Sequence, residues 1–259
     1  MAPRRVIPFI PPLQRALLGG SSRSIPSSVP TAYLKGLSDF STHDKGHSSQ
    51  ITIKTPLRLM PLGGSVTYGV GSSDGNGYRE ALLDALLSNG YRVSFVGSRR
   101  SGTMYNNDNE GWRGYRLDQI ETKARRSVAT SLPNVFTINA GSNDCIQNYQ
   151  LEDFGKRMGN MLEYLWQNSP SSTVILSTLL VNADKEVNSR VLFINDQIRG
   201  LAKLKAAAQK RIVLADMHRS NGPQVGDLVD GTHPGDVGYE KMASIWLTGI
   251  HAASLRGFI

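Results

Sequence analysis

Short apolar segments alternate with longer amphipathic ones along residues 57–255. The short runs are too brief for helices, and glycine directly follows three of them, which is typical of buried strands. These runs are 57–62, 91–96, 134–140, 173–180 and 211–217. The longer segments repeat apolar residues at helical spacing. They cover 78–87, 117–131, 151–167, 188–209 and 235–255. The pattern therefore predicts strands and helices in regular alternation.

Such alternation predicts a parallel sheet with helices on both faces. Because crossovers between parallel strands are right-handed, we expect an α/β fold of three layers (α/β/α), with a flavodoxin-like, doubly wound, five-stranded parallel sheet. The polar segment 98–115 is predicted to be a long loop. The loops that follow the strands meet at one edge of such a sheet, and this edge is where a ligand site is expected.

The first 50 residues differ in composition from the rest of the chain. They are rich in proline, serine and arginine, and no acidic residue precedes Asp39. This composition predicts a disordered basic tail over residues 1–50, followed by one folded domain over residues 51–259. An arginine-rich, acid-poor start also fits an organellar transit peptide. A secretory signal fits less well, because prolines interrupt the apolar stretch from Val6 to Pro12.

Composition also excludes several classes of protein. No apolar run is long enough to span a bilayer, so no membrane span is expected. The single cysteine, Cys145, excludes an intrachain disulfide and a cysteine-based zinc cluster. The net charge of +8 is scattered in small groups rather than interleaved with aromatics on one stripe, which favours a solvated basic surface over nucleic-acid binding.

Neither a nucleotide nor a metal is expected as a cofactor. The loop from Gly69 to Asp74 has the first two glycines of a dinucleotide-binding motif, but Asp74 stands where the third glycine belongs. The sequence has no P-loop and no His-Glu-x-x-His pair. The loop after Gly69 is therefore interpreted as a turn or lid.

Acyl transfer fits the remaining polar residues best. The first strand ends at Gly63-Gly64, and the sharp turn that two glycines permit presents Ser65 at the sheet edge as a nucleophile or as a turn residue. Asp230-Gly-Thr-His233 supplies a base and a carboxylate that could orient it. Asp227 and Asp236 are rival partners for His233, although the three-residue spacing favours Asp230.

Two further residues could stabilise an oxyanion. Asn143 follows a predicted strand and offers a side-chain amide, or it bonds to its own backbone as a turn residue. Gly114 presents a bare N–H group, or it merely permits a bend. The backbone N–H of Ser65 would be a third donor.

Together these segments resemble a known family. Gly63-Gly-Ser65, Gly114, Gly141-Ser-Asn-Asp144 and Asp230-Gly-Thr-His233 occur in the order of the sequence blocks of the SGNH hydrolase (GDSL-type esterase) superfamily. The sequences around Ser65 and over Glu110-Gly-Trp-Arg-Gly114-Tyr115 are most similar to those of carbohydrate esterase family 3, the acetyl xylan esterases. The resemblance covers about residues 57–255.

The resemblance implies a serine esterase with the SGNH hydrolase fold. Ser65 would be the nucleophile, His233 the general base and Asp230 its orienting acid. The backbone of Ser65 and Gly114 and the amide of Asn143 would form the oxyanion hole. One departure is Gly64, because the family usually has aspartate before the serine.

The substrate expected from the resemblance is a small acyl ester, above all an acetyl ester, on a small molecule or a carbohydrate. Tyr68, Trp112 and Tyr115 are candidates to bind a sugar, and Tyr78 could also line the cleft. The alternatives are a lipid- or thioester-directed hydrolase of the same superfamily and a carbohydrate-binding relative without activity. We expect a monomer. The family points to an extracellular protein, whereas the first 50 residues leave an intracellular or organellar location open.

Overall fold

The computed structural model describes residues 56–259, in which seven strands form one sheet. The strands are β1 (Leu57–Gly63), β2 (Val93–Phe95), β3 (Arg99–Arg100), β4 (Asp108–Gly111), β5 (Val135–Asn139), β6 (Thr173–Ser177) and β7 (Ile212–Ala215). The helices are α1 (Ser65–Tyr68), α2 (Arg79–Ser88), α3 (Leu117–Ser131), α4 (Ser142–Ile146), α5 (Phe154–Asn168), α6 (Lys185–Ala207) and α7 (Asp236–Leu255). The predicted tail, residues 1–50, lies outside the described residues.

The five main strands are parallel and lie in the order β2-β1-β5-β6-β7. If these five strands are numbered one to five in chain order, their order across the sheet is 2-1-3-4-5. This is the order of flavodoxin-like folds. Buried strand residues alternate between the two faces: Met60 packs with α3, α5 and α6, whereas Leu59 packs with α2 and α7. The predicted three-layer α/β fold is therefore confirmed.

The prediction of a loop over residues 98–115 is wrong, and the sheet has seven strands rather than five. Strands β3 and β4 form an antiparallel hairpin, and β4 also pairs in parallel with the end of β1. Asn109 and Glu110 of β4 are fully buried. The Asn109 amide donates to the Ser101 hydroxyl, and the Glu110 carboxylate accepts the Ser98 N–H. Because polar groups satisfy one another here, hydrophobic patterning does not reveal the hairpin.

Element ends differ from the predicted ones by a few residues. The sixth helix begins at Lys185 rather than residue 188, because the Asp184 carboxylate caps it by accepting the Val187 N–H at 2.8 Å. Strand β6 ends at Ser177, three residues before the predicted end. Within residues 56–259, none of the helices has the length and hydrophobicity needed to cross a bilayer.

Candidate active site

Ser65 lies at the carboxyl end of β1, at the start of the short helix α1. A side chain on Gly63 would overlap the carbonyl oxygen of Asn139 on the neighbouring strand, so only glycine fits at that point. The Gly64 N–H donates to the same carbonyl at 3.3 Å, and the Gly63 carbonyl accepts the Trp112 N–H at 2.9 Å. These contacts fix the turn that presents Ser65 at the sheet edge.

Ser65, His233 and Asp230 form a continuous chain of short contacts. The Nε2 of His233 lies 2.8 Å from the Oγ of Ser65, and its Nδ1 lies 2.7 Å from the Oδ2 of Asp230. The other oxygen of Asp230 accepts the backbone N–H groups of Thr232 and His233 at 3.0 and 2.8 Å. Burial alone would raise the pKa of the Asp230 carboxyl, but the hydrogen bonds from His233 and Thr232 outweigh it and lower the pKa to about 2.

The carboxylates of Asp227 and Asp236, the other candidate partners of His233, contact other groups. Asp227 accepts the Lys241 ammonium at 2.6 Å and the Gln224 N–H at 2.7 Å. Asp236, the first residue of α7, accepts the Ser73 N–H at 2.9 Å. Of the three candidates, Asp230 is therefore the one whose carboxylate contacts the His233 ring.

Gly114 and Asn143 lie beside Ser65 on the same cleft. Gly114 is exposed and has a positive φ of 77°, a conformation that favours glycine. The Asn143 amide donates one hydrogen to the Tyr115 carbonyl at 3.0 Å, which leaves its second hydrogen available. A Cβ on Gly64 would lie 3.8 Å from this amide nitrogen, so Asn143 approaches the nucleophile turn closely.

A buried ion pair fixes the helix that carries Asn143. Asp144 is fully buried; its Oδ1 lies 2.8 Å from Nη1 of Arg157, and its Oδ2 accepts the Leu117 N–H at 2.9 Å. Burial raises the pKa of the Asp144 carboxyl, and the hydrogen bonds from Arg157 and Leu117 offset this only in part. The pair links α4 to α3 and α5, so it holds Asn143 in position.

A buried arginine holds the loop on the other side of Ser65. The Arg79 guanidinium donates to the carbonyls of Tyr68, Gly75 and Ser101, at 3.2, 2.9 and 3.0 Å. Sequence reasoning missed this residue, because an arginine at the start of an amphipathic helix ordinarily faces solvent. Its role depends on backbone carbonyls that no sequence pattern marks.

The loop that Arg79 holds also contacts the histidine segment. The Tyr239 hydroxyl of α7 donates to the Val70 carbonyl at 2.5 Å. A Cβ on Gly71 would lie 3.1 Å from the Cβ of His233 and 2.5 Å from the Pro234 carbonyl oxygen. The nucleophile loop and the histidine segment therefore pack directly on each other.

Two hollows adjoin Ser65. The larger is an open cleft of about 340 Å³, lined by Ser65, Val70, Arg113, Gly114, Asn143 and His233 among others. The smaller has a volume of about 10 Å³ and is lined by residues including Gly64, Ser65, Tyr115, Gly141 and Ser142. The smaller hollow has about the space that one water molecule needs.

The predicted aromatic residues do not all reach these hollows. Tyr115 lines the smaller one, and the ring of Trp112 lies 5.4 Å from that of Tyr115. Tyr68 and Trp112 lie beside the cleft without lining either hollow. The suggestion that Tyr78 lines the cleft is wrong: it is fully buried and packs against Trp246, with ring centroids 5.6 Å apart.

Proteins described as esterases are similar to this chain. A multidomain esterase of Ruminococcus flavefaciens is 30% identical over 220 residues, which cover 74% of this chain and 28% of the relative. The chain thus spans little more than a quarter of that protein. Among solved structures, a Clostridium thermocellum family 3 carbohydrate esterase has a TM-score of 0.69 and 27% identity, covering 78% of this chain and 98% of its own.

A more distant structure supports the fold alone. The carbohydrate esterase family 3 protein from Talaromyces cellulolyticus has a TM-score of 0.67 and 22% identity, covering 76% of this chain and 98% of its own.

The sequence profile described as GDSL-like Lipase/Acylhydrolase family matches residues 62–241, which is more than half of the chain. The chain therefore belongs to the GDSL-like lipase/acylhydrolase family.

Proposed function

We propose that this domain is a serine esterase that removes small acyl groups, above all acetyl groups, from carbohydrate esters. The observation that supports this most strongly is the chain of contacts from Ser65 through His233 to Asp230. Each group has the chemistry that its place requires: a hydroxyl, an imidazole and a carboxylate. The chain of contacts ends in an open cleft, so a substrate can reach Ser65.

In the first step His233 acts as general base. Its Nε2 takes the proton of the Ser65 hydroxyl as Oγ attacks the ester carbonyl, and Asp230 holds the Nδ1–H tautomer and stabilises the imidazolium that forms. The low pKa of Asp230 keeps it ionised throughout. Negative charge then develops on the carbonyl oxygen, where the N–H groups of Ser65 and Gly114 and the Asn143 amide are proposed to donate.

The alcohol leaves after accepting the proton from His233, and an acyl group remains on Ser65. In the second step His233 takes a proton from water, which attacks the acyl-enzyme through the same oxyanion geometry. Collapse of that intermediate returns the proton to Ser65 and releases the carboxylic acid. Both steps use the same catalytic groups, and each cycle converts one ester and one water molecule into an alcohol and a carboxylic acid.

The size of the smaller hollow supports a short acyl chain. A methyl group is close in size to the single water molecule that this hollow can hold. The similarity to the Clostridium thermocellum carbohydrate esterase supports a sugar as the alcohol part.

Hydrolysis of p-nitrophenyl esters by purified protein tests the proposal. We expect hydrolysis of the acetate ester, near-complete loss in Ser65→Ala, and no change in Ser94→Ala, which alters an exposed serine on β2 outside the cleft. Wild-type rates in Ser65→Ala would contradict the assignment. Acetate is expected to be preferred over longer chains, and rates that rise towards eight carbons would contradict the small acyl specificity alone.

A further inference from the structure

Three cations and three aromatic rings alternate beside the cleft, and we name them the basic aromatic cluster. Its members are Tyr68, Arg99, Trp112, Arg113, Tyr115 and Lys123. The Arg99 guanidinium lies 4.6 Å from the Trp112 ring centroid and 5.5 Å from that of Tyr68. Lys123 lies 4.4 Å from the Trp112 ring on the α3 side. Cation–π contacts at these distances restrict where each charge can lie.

Arg113 is the member of this cluster that lines the catalytic cleft, together with Ser65 and His233. It is exposed, and its guanidinium carbon lies 5.9 Å from the centroid of Tyr68. It immediately precedes Gly114, the proposed oxyanion donor. A substrate ester bound at Ser65 would therefore bring its neighbouring groups close to this cation.

Carboxylates of the described residues do not neutralise the cations of the cluster. Within residues 56–259, none of Arg99, Arg113 and Lys123 forms an ion pair with a carboxylate. The Nε of Arg99 is buried and also lacks a hydrogen-bond partner in that range. A charged group that is held in place without a counter-charge is suited to bind an anion from outside the chain.

The nearby acids do not cancel this charge at the cleft. Glu110 is fully buried and accepts the Trp112 indole N–H at 2.8 Å, so it lies at the edge of that ring, and it is not among the residues that line the cleft. Asp230 lies behind His233, on the side of the ring away from Ser65. The residues that line the cleft include Arg113 and no carboxylate.

We propose that Arg113 selects ester substrates whose alcohol part carries a carboxylate, such as acetylated uronic-acid sugars. The smaller hollow leaves little room for charge on the acyl side, so the carboxylate belongs to the alcohol. The guanidinium offers a planar pair of N–H donors that matches a carboxylate, and Arg99 and Lys123 add to the positive field. This inference rests on the proposed esterase function, and it adds a substrate class to it.

A matched pair of substrates tests the inference. Acetate release is measured from a phenyl glucuronide and a phenyl glucoside that carry acetyl groups on the same ring hydroxyls, so that the two differ in the carboxylate. We expect a higher kcat/KM for the glucuronide at low salt. In Arg113→Ala the ratio of the two kcat/KM values should fall by about tenfold, mainly through KM, since a charge-assisted contact is present before and during reaction.

Two further variants make the test specific. Arg92→Ala removes an equal charge from an exposed position just before β2, at the amino ends of the parallel strands and away from the cleft, and it should leave both rates and their ratio unchanged. Arg113→Lys keeps the charge without the planar donor pair and should restore the ratio in part. Salt should reduce the wild-type preference, because the contact is exposed to solvent.

The outcomes separate this inference from the proposed function. Hydrolysis of both substrates with equal kcat/KM, or a preference that survives Arg113→Ala, overturns the role of Arg113 and leaves the esterase intact. A ratio that falls equally in Arg92→Ala overturns it as well, because net charge would then suffice. If the folded protein hydrolyses neither these sugars nor p-nitrophenyl acetate, the proposed function fails and this inference fails with it.

Discussion

The Oγ of Ser65 lies 2.8 Å from the Nε2 of His233, although 168 residues separate them in the chain. The sheet creates this proximity, because Ser65 follows β1 and His233 lies on the segment between β7 and α7. Direct contact between the loop after Ser65 and the histidine segment then limits relative movement of the two residues.

Asn143→Ala should lower kcat by about 10²- to 10³-fold and leave KM nearly unchanged. An oxyanion donor acts mainly in the transition state, where negative charge has developed, and a loss of that size is typical when one donor is removed. Steady-state kinetics with p-nitrophenyl acetate measures both constants. A large rise in KM with unchanged kcat would instead assign Asn143 to substrate binding.

Asp230→Asn should lower kcat by at least ~10²-fold, because the amide can no longer hold the Nδ1–H tautomer or stabilise the imidazolium. Steady-state kinetics with p-nitrophenyl acetate measures this loss.

Asp230→Asn should also change the dependence of stability on pH. The folded-state pKa of Asp230, about 2, lies below the ordinary aspartate value of 3.8, so its contribution to stability is complete above about pH 4. That contribution is lost as pH falls through the folded value.

Urea unfolding of the wild type and Asp230→Asn between pH 7 and pH 2 measures this contribution. The Asp230 side chain is 51% exposed, so we expect a difference of no more than about 1 kcal/mol after screening by solvent. The difference should shrink towards pH 2. A difference that grows as pH falls would contradict the lowered pKa.

Asp144→Ala should destabilise the fold by about 3 kcal/mol, because it leaves the guanidinium of Arg157 largely buried and unpaired. It should also lower kcat, since α4 carries Asn143. Glu121→Ala is the matched control, because it removes a carboxylate from the more exposed ion pair with Arg125 on α3 and should change stability by less than about 0.5 kcal/mol. Equal effects of the two variants in urea unfolding would contradict a structural role for the Asp144 pair.

Gly71→Ala should reduce both stability and activity. The residue has a φ of 97°, and an added Cβ would lie 2.5 Å from the Pro234 carbonyl oxygen, next to His233. Relief of that overlap displaces the histidine segment, so we expect at least a ~10-fold lower kcat. Gly200→Ala on α6 is the control, since a Cβ there meets nothing within 4 Å. Wild-type kcat in Gly71→Ala would show that the loop does not position His233.

Much of the fold follows from local patterns. The five parallel strands are short and mostly apolar, so their existence and order along the chain can be predicted from hydrophobicity. Strands β3 and β4 cannot be read this way, because Asn109 and Glu110 are buried by mutual hydrogen bonding. Where polar groups satisfy one another inside a protein, the apolar pattern carries no signal.

The sequence predicts some residues of the candidate site but not the residues that hold them in position. Ser65, Asn143, Asp230 and His233 follow the carboxyl ends of predicted strands, so the fold prediction alone brings them to one edge. The supporting groups Arg79 and Asp144 act through buried contacts with backbone and side chains distant in sequence. From the sequence, Tyr78 is expected to line the cleft because it lies next to a predicted loop, but its side chain is buried in the core.

Gly64 shows why a departure from a family pattern needs a structure to interpret. A Cβ at this position would lie 3.8 Å from the Asn143 amide and 3.9 Å from the Trp112 carbonyl oxygen, which are ordinary contacts. Its φ of −93° is open to other residues. The turn therefore does not require glycine here, and the contact between Ser65 and His233 forms without the family's aspartate.

Covalent labelling of Ser65 tests the catalytic assignment most directly. A fluorophosphonate ester reacts with a serine hydroxyl that a neighbouring base activates, and peptide mass spectrometry identifies the modified residue. We expect one adduct, on Ser65, that is absent in Ser65→Ala and forms far more slowly in His233→Ala. A folded protein that remains unlabelled, or one that carries the label at another residue while Ser65 stays free, would contradict the proposed mechanism.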